Sequence, residues 1–395
     1  MIGEISEISE MLISFLKYAI FLIRKTYKYR KMITEIKILE ELRAGNVALP
    51  PFVLKYLGTE RQNRVEDRVT DIFIELSWER EKIRFAVEIK ARFTPKVFQN
   101  ALNQIKRIDL PKNIFPMLIF PYLGEEQLEQ LEKEKVSGID LCGNGIIVVP
   151  EKLLIVRSGA KNRFPTYSPI RNIYQKNSSM ATRVFFVKSQ FKTVKEIHNN
   201  INACNLLVEQ WNVKPMSLST VSKVLSTLEE DLIISRVDGI RLLQKDTLLD
   251  KLAQNYNVLP QAQRRVRLKV SVTGGLLNNL VGKCSVALNL PIVATGKSSV
   301  NQYATMQQDD ILSVYCPQVD RLLERLGGSQ TERFHNLEIV ETETEFFYFD
   351  SRKKKKFCWA SPVQTYLELI TGDKRDRETA EQVRRFILQD TKSKE

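Results

Sequence analysis

The stretch from Val69 to Lys90 constrains the fold of this chain more than any other. Asp71 opens an apolar run, Ile72-Phe73-Ile74. A polar corner follows at Trp78-Glu79-Arg80-Glu81, and a second run, Phe85-Ala86-Val87, ends in Glu88-Ile89-Lys90. Two short runs rich in β-formers around a polar corner predict a β-hairpin. Side chains alternate along a strand, so Glu88 and Lys90 share one face, with Asp71 placed to meet them across the ladder. Two carboxylates and an ammonium converging in this way can hold a hard divalent cation such as Mg and offset charge developing on a phosphate. Asp71, Glu88 and Lys90 are the candidate catalytic set, and Asp71 and Glu88 the candidate metal ligands. Glu66, Asp67 and Glu75 are neighbouring carboxylates able to take the place of Asp71. The competing reading is a solvated strand edge, since any strand can end in Glu-x-Lys.

The flanking sequence supplies a domain for that hairpin, over residues 34–157. Before it, Met32-Ile33-Ile36-Leu39-Leu42 has the three-four spacing of a helix with one buried face, stopped by Gly45-Asn46 and a turn at Pro50-Pro51. After it, Thr94-Pro95 starts a helix carrying Val97, Phe98, Ala101, Leu102 and Ile105 inward, with Gln99 and Gln104 on the same segment. Pro116 precedes a buried-type strand, Met117–Phe120. Next come a helix over Glu125–Lys135 with Leu128 and Leu131 inward, and strands around Ile139–Leu141 and Ile146–Val149. The order helix, hairpin, helix, strand, helix, strand predicts a compact α/β domain.

Residues 1–33 read as a helical extension. Met11–Ile23 is its only membrane-like run; it carries Lys17 and falls short of the roughly 20 apolar residues that cross a bilayer. A packing or dimerising helix is the favoured reading, so an oligomer through this helix is expected; a surface-lying amphipathic helix is the alternative. Glu4, Glu7 and Glu10 stand where a cleavable signal needs basic residues.

Residues 158–179, punctuated by Gly159, Pro165, Pro169 and Asn177, read as a linker. From 180 to 258 the chain predicts a winged helix-turn-helix. Ser217 is the N-cap of a helix whose Leu218, Val221, Leu225 and Leu228 face inward. A short run, Leu232-Ile233-Ile234, then passes through Asp238-Gly239, a strong hairpin turn, into Ile240–Leu243. The outward stripe of the helix is small and polar, so its backbone can approach a DNA groove. Ser217, Ser219, Thr220, Ser222 and Lys223 are the candidate DNA-binding residues there, and Arg236 and Arg241 flank the wing. The plainer alternative is a solvated serine face or a winged helix used for protein contacts. Residues 259–395 alternate strands (Val293-Ala294, Leu312–Tyr315, Leu337–Val340, Phe346–Phe349) with helices (Pro362–Ile370, Glu378–Leu388), a C-terminal α+β module.

Composition narrows the function classes. Sixty Lys and Arg against 47 Asp and Glu give a net charge of +13, which favours a polyanionic partner, most simply nucleic acid; with the winged-helix reading, the expected partner is double-stranded DNA. Two histidines, and five cysteines with no Cys-x-x-Cys pair, argue against a structural zinc site or a histidine-based mechanism. Scattered thiols suit a reducing cytoplasm. Gly296-Lys297-Ser298 resembles the end of a phosphate-binding loop but has Pro291 where the first glycine is required. Asp309-Asp310 are adjacent, so they cannot share one strand face. The Lys353–Lys356 run reads as a solvated loop that can also touch phosphate.

Two resemblances rest on these residues. Asp71, Glu88 and Lys90 resemble the core of the PD-(D/E)XK nuclease superfamily, which implies that the acids bind a divalent cation and the lysine helps to position the attacking water. Four patterns in order, Phe85–Arg92, Leu118–Leu123 with Gly138–Asn144, Leu218–Leu225 and Ser361–Leu369, resemble the AbiEi-type antitoxins and transcriptional regulators of type IV toxin–antitoxin systems. That resemblance implies a multi-domain α/β (α+β) chain: a nuclease-like N-terminal domain, a winged helix and an AbiEi-like C-terminal module. It implies a sequence-specific DNA-binding regulator, with a metal-dependent DNA endonuclease guided by the winged helix as the alternative. A cognate toxin or other neighbouring-gene product is a further possible partner, and an integral membrane location is not expected.

Overall fold

The computed structural model describes residues 33–58, 70–164, 172–211, 213–256, 264–271, 277–305 and 311–389. The N-terminal extension up to residue 32, Glu66, Asp67, Asp309, Asp310 and linker residues 165–171 lie outside that set. The chain divides into two compact units, residues 1–167 and 168–395. Both mix helices with sheets, as the α/β class requires.

The first unit is built on one seven-stranded sheet whose spatial order follows the sequence. Helix α1 (Glu35–Arg43) starts at the Thr34 cap, whose hydroxyl accepts the Lys37 N–H. It buries Ile38 and Leu42, while Ile36, expected to face inward, is 70% exposed. Strands β1 (Val53–Gly58), β2 (Ile72–Trp78) and β3 (Glu81–Ile89) form an antiparallel meander. Helix α2 (Pro95–Lys106) starts where Thr94-Pro95 predicts, with Pro95 in the first turn, where no backbone donor is needed. It leads to β4 (Ile114–Phe120), parallel to β3. Helix α3 (Glu125–Lys133) leads to β5 (Ser137–Asp140), parallel to β4, and β6 (Gly145–Val149) and β7 (Leu153–Arg157) complete the sheet antiparallel.

Strand alternation gives this sheet two cores. Met117 and Ile119 pack with Ile38, Leu42, Phe85, Val87 and Ile89 on the face covered by α1. Leu118 and Phe120 pack with Phe98, Leu102, Leu128 and Leu131 under α2 and α3. Period-two placement sends neighbours on one strand to opposite layers, and Glu88, paired with Leu118 across the ladder, takes the α2 side.

The second unit opens with α4 (Ser178–Val187), β8 (Gln190–Phe191), α5 (Val194–Ala203), α6 (Leu206–Trp211) and α7 (Leu218–Glu230). Strands β9 (Ile234–Ser235) and β10 (Ile240–Leu242) follow, then α8 (Lys245–Gln254). The three short strands make an antiparallel sheet in the order β8-β10-β9. A second seven-stranded sheet comes next. Its segments are β11 (Arg265–Lys269), α9 (Leu277–Leu288), β12 (Val293–Ala294), α10 (Gly296–Ser299), β13 (Leu312–Cys316), α11 (Val319–Leu326), β14 (Ser329–Gln330), β15 (Leu337–Glu341), β16 (Arg352–Lys354), β17 (Phe357–Trp359), α12 (Pro362–Ile370) and α13 (Lys374–Gln389). The sheet is mixed, in the order β14-β11-β15-β13-β12-β17-β16.

Phe346–Phe349 is not the strand its aromatic run suggests. Residues Glu345–Phe347 form a 3-10 turn and only Phe349 makes a bridge, to Asn205. All four rings are buried, so no face alternates with solvent. They belong to a core shared by Val184 and Phe185 of α4, Leu248 and Leu249 of α8, and Tyr366, Leu367 and Val383 of α12 and α13. One hydrophobic core therefore joins residues 172–256 to the described residues that follow 264.

Gly239 is the position where a side chain would cost most in the small sheet. Its φ is +86°, and an added Cβ would sit 2.9 Å from the Phe191 carbonyl oxygen. Replacing Gly239 by Ala combines left-handed strain with that collision, and we expect a loss of about 1–3 kcal/mol in chemical denaturation; an unchanged midpoint would contradict the assignment of this turn.

Candidate functional site

Two sets of residues carry chemistry, one in each unit. In the first, the β2–β3 register pairs Ile72 with Val87, which brings Asp71 to the end of β3. The Asp71 amide donates to the Val87 carbonyl at 3.1 Å, and its carboxylate Oδ2 accepts the Ile89 N–H at 2.8 Å. Glu88 and Lys90 share a face as alternation requires, and Lys90 Nζ donates to Glu88 Oε1 at 2.5 Å. The backbone of Lys90 is fixed by a 2.9 Å bond from its N–H to the Ile119 carbonyl. The structure thus brings together all three residues singled out from sequence.

The electrostatics of this set are asymmetric. Glu88 is 2% exposed, and its Oε2 is buried with no hydrogen-bond partner among the described residues. Burial first, and then the negative charges of Asp71 and Glu35, push its carboxyl above the usual range, against the opposing bond from Lys90. Burial works to lower Lys90, but its bond to Glu88 and the charges of Glu88, Asp71 and Glu35 outweigh it and hold the ammonium above its ordinary value. Both shifts run toward the protonated form, through burial at Glu88 and through the neighbouring carboxylates at Lys90.

Sequence reasoning missed Glu35. It is the first residue of α1, one position after the Thr34 cap, where an acid is ordinarily explained by the helix dipole. Only the folding of α1 brings its charge to bear on Glu88 and Lys90. Glu75, considered as a substitute for Asp71, is instead engaged with Arg84 at 3.5 Å and Lys82 at 3.9 Å.

A hard cation fits this donor set in part. Two carboxylates face the site and one buried carboxylate oxygen lacks a protein partner, which matches the habit of Mg of using one or two carboxylates and keeping several waters. Among the described residues, no group of three or more His, Cys, Asp or Glu is arranged to hold a metal ion. Any ion here would draw most of its ligands from solvent or substrate.

In the second unit, α7 is the serine-lined helix. Ser217 caps it, its Oγ accepting the Thr220 N–H at 3.2 Å and lying 2.9 Å from the Thr220 hydroxyl. Ser219, Ser222 and Lys223 are exposed and Thr220 is half-buried. Val221, Val224, Leu225 and Leu228 are fully buried, whereas Leu218, expected inward, is 48% exposed. Val224 takes the inward role because the buried stripe follows the 221-224-225-228 spacing, one turn beyond the cap. Leu218 therefore adds an apolar group to the outward stripe.

Arg236 and Arg241 flank the wing, as their sequence positions suggest. Arg241 lies on β10 opposite Ser235 and Gln190, and it is exposed. Arg236 reaches back to Glu229 of α7 at 3.9 Å, a contact that ties the wing to the helix. Val237, at the tip, is 84% exposed.

The Gly296-Lys297-Ser298 segment is filled by the protein itself. The Gly296 N–H donates to Glu368 Oε2 at 2.8 Å, and Lys297 Nζ pairs with Asp376 at 2.6 Å. The five cysteines are free thiols, and no helix of the described residues is long and apolar enough to cross a membrane. Set against family models, curated proteins and solved structures, the chain matches none of them.

The raised Glu88 carboxyl has a measurable signature. A carboxyl whose folded pKa lies above its unfolded value makes the folded state hold more protons, so stability falls as pH rises from about 4.5 through the folded value and is level above it. Glu88→Gln should remove that slope in thermal unfolding across the acid-to-neutral range. Lys90→Met alone should cost about 3–5 kcal/mol at neutral pH by leaving a buried charge uncompensated, and Glu88→Gln in the same chain should recover most of it. Equal costs for the single and double variants would refute the coupling.

Proposed function

We propose that this chain is a sequence-specific DNA-binding regulator of the AbiEi antitoxin type, acting on double-stranded DNA through residues 180–258. One observation carries the reading. The order helix, strand, helices, helix, strand, wing, strand, closed by a three-stranded antiparallel sheet, places a capped helix with an exposed Ser219-Ser222-Lys223 stripe beside a basic wing. In a winged helix-turn-helix the second helix of the motif enters the major groove, where small side chains admit the backbone and Lys or Arg reach phosphate and guanine. Ser217, Ser219, Thr220, Ser222 and Lys223 are assigned to the groove, and Arg236 and Arg241 to the flanking backbone. The surplus of positive charge over the whole chain supports the same partner. Free, scattered thiols are in keeping with a cytoplasmic setting. A toxin encoded beside it, and self-association through residues 1–33, belong to this proposal as possible partners.

A second reading is favoured by one specific observation, the Oε2 of Glu88, which has no hydrogen-bond partner among the described residues and lies beside Asp71 and Lys90. The order α1, β1–β3 meander, α2 and β4 parallel to β3 supports this reading, a PD-(D/E)XK nuclease-like domain. On this reading Asp71 and Glu88 would hold a magnesium ion, which would supply charge neutralisation at the scissile phosphate. Lys90 would orient a water beside it.

The regulator reading is tested by footprinting on the DNA upstream of the chain's own gene. Protection of a discrete site is expected, and Lys223→Ala with Arg241→Ala should weaken binding tenfold or more, about the cost of one or two lost contacts. Binding unaffected by both changes would overturn it. The nuclease reading is tested by plasmid cleavage with magnesium or manganese. Glu88→Ala and Lys90→Ala should each abolish cleavage, and activity that survives both assigns it elsewhere.

A further inference from the structure

The Lys353–Lys356 run lies on a structure a solvated loop would not have. Arg352–Lys354 form β16, the outermost strand of the second seven-stranded sheet, and Phe357–Trp359 form β17 beside it. Two residues, Lys355 and Lys356, make the turn, with Lys355 at φ +58°. Register pairs Lys353 with Cys358 and Lys354 with Phe357, so successive lysines point to opposite faces of the hairpin. Its tip is basic on both sides.

The hairpin is held rigid at its base. The Arg352 guanidinium lies 5.8 Å from the centre of the Tyr303 ring, Tyr303 donates its hydroxyl to the Ala360 carbonyl at 2.6 Å, and Lys354 Nζ donates to Gln302 at 3.2 Å. Phe357 and Trp359 are buried. Gly282 of α9 packs so closely that an added Cβ would sit 2.4 Å from the Lys356 carbonyl oxygen. By contrast Lys353, Lys355 and Lys356 are exposed, and among the described residues none of them has a carboxylate within salt-bridge distance. Other exposed cations of this unit do pair, Arg264 with Asp320 and Arg267 with Glu332. Charge on a rigid arm with no internal partner is available to an external one.

The position of the arm says which partner. The segment just before β16 is bonded to the end of α5, the helix that precedes α7 by one short helix. Asp350 donates its N–H to the Cys204 carbonyl at 2.9 Å, Phe349 bridges Asn205, and Asn205 Nδ2 donates to Glu345 at 2.9 Å. In helix-turn-helix proteins the helix before the recognition helix crosses the phosphate backbone. Lys353 to Lys356 follow Asp350 by three to six residues, so at about 3.3 Å per residue they lie within roughly 20 Å of that helix end. We propose that the Arg352–Lys356 hairpin is a second contact to duplex DNA, neutralising backbone phosphates beside the segment engaged by the winged helix. This rests on the DNA-binding reading of α7 and adds to it a sequence-independent arm from the C-terminal module.

The competing account is that edge lysines merely prevent β16 from pairing with another sheet. Salt dependence separates the two. Binding of the full chain to a random-sequence DNA duplex is measured over a range of salt for the wild type, for Lys353→Gln, Lys355→Asn and Lys356→Gln combined, and for all three changed to Arg. Asn is chosen at 355 because it tolerates the left-handed backbone. Each phosphate contact contributes about 0.9 to the slope of log K against log salt, so the neutral variant should lose about 2 to 3 from the slope and the Arg variant should keep it. A neutral variant with the wild-type slope, whether or not it self-associates in sedimentation, overturns the hairpin contact while leaving the winged helix assigned. A wild type with no affinity for duplex DNA overturns both.

Discussion

A fully buried guanidinium organises residues 168–395. Arg183 of α4 is 3% exposed and donates to the Phe346 carbonyl at 3.1 Å and to Gln364 Oε1 at 2.9 Å. Gln364 then passes the polarity on: its amide donates to Glu368 at 2.8 Å and to the Tyr256 hydroxyl at 3.0 Å. Glu368, itself buried, also accepts from Tyr315 at 2.9 Å and from the Gly296 N–H at 2.8 Å. Burial pushes the Arg183 guanidinium down to about 10, with Tyr256 and Glu368 working the other way. It pushes the Glu368 carboxyl up, with Gln364 and Tyr315 opposing. Opposite charges linked by one amide satisfy each other where neither would be tolerated alone, although Arg183 Nε keeps no partner.

That linkage has a structural consequence for the part of this unit that carries the small sheet. Arg183 belongs to its first helix and Tyr256 follows its last, whereas Gln364, Glu368, Tyr315 and Gly296 belong to the sheet module. A second set of bonds repeats the pattern, with Arg384 of α13 donating to Asp250 at 2.6 Å and to the Tyr366 hydroxyl at 3.1 Å, and pairing with Asp246. Buried polar networks are geometrically demanding, so the two parts are held in one register rather than merely packed. The basic hairpin and α7 are accordingly fixed on a common frame, which is the condition for both to meet one duplex.

How much of this was legible depended on how local each cause was. The β2–β3 hairpin and its Asp71, Glu88 and Lys90 were legible because alternation and a polar corner act within a few residues. The β9–β10 turn was legible because Asp238-Gly239 demands a turn, and Gly239 indeed adopts positive φ. Helix ends were less so: Ile36 and Leu218 sit at the margin of an apolar stripe, and periodicity alone does not say which side of the margin a residue falls. Two-residue strands such as β8 and β14 are too short to show a period. Glu35 and Arg183 were invisible for a stronger reason, since an acid in a first helical turn and an arginine in a helix are each read as solvated until tertiary contacts give them partners.

The same contrast bears on the two segments that resemble phosphate sites. At Gly296-Lys297-Ser298 the helix start is already served by a protein carboxylate, Glu368, and the lysine by Asp376, so every group that a phosphate would use has an internal partner. At Glu88 the reverse holds. A carboxylate kept only for architecture would have both oxygens bonded, because leaving a buried polar atom unmet costs about 1–3 kcal/mol. Here, among the described residues, Oε2 is buried and unmet while Oε1 is tied to Lys90, in a sheet where another buried acid, Asp140, has both oxygens filled by the amides of Cys142, Gly143, Asn144 and Leu123 and the side chain of Asn144. The same unit can satisfy a buried aspartate completely and leaves this glutamate incomplete. That difference, more than the Glu-x-Lys spelling, sets the end of β3 apart from the rest of the sheet.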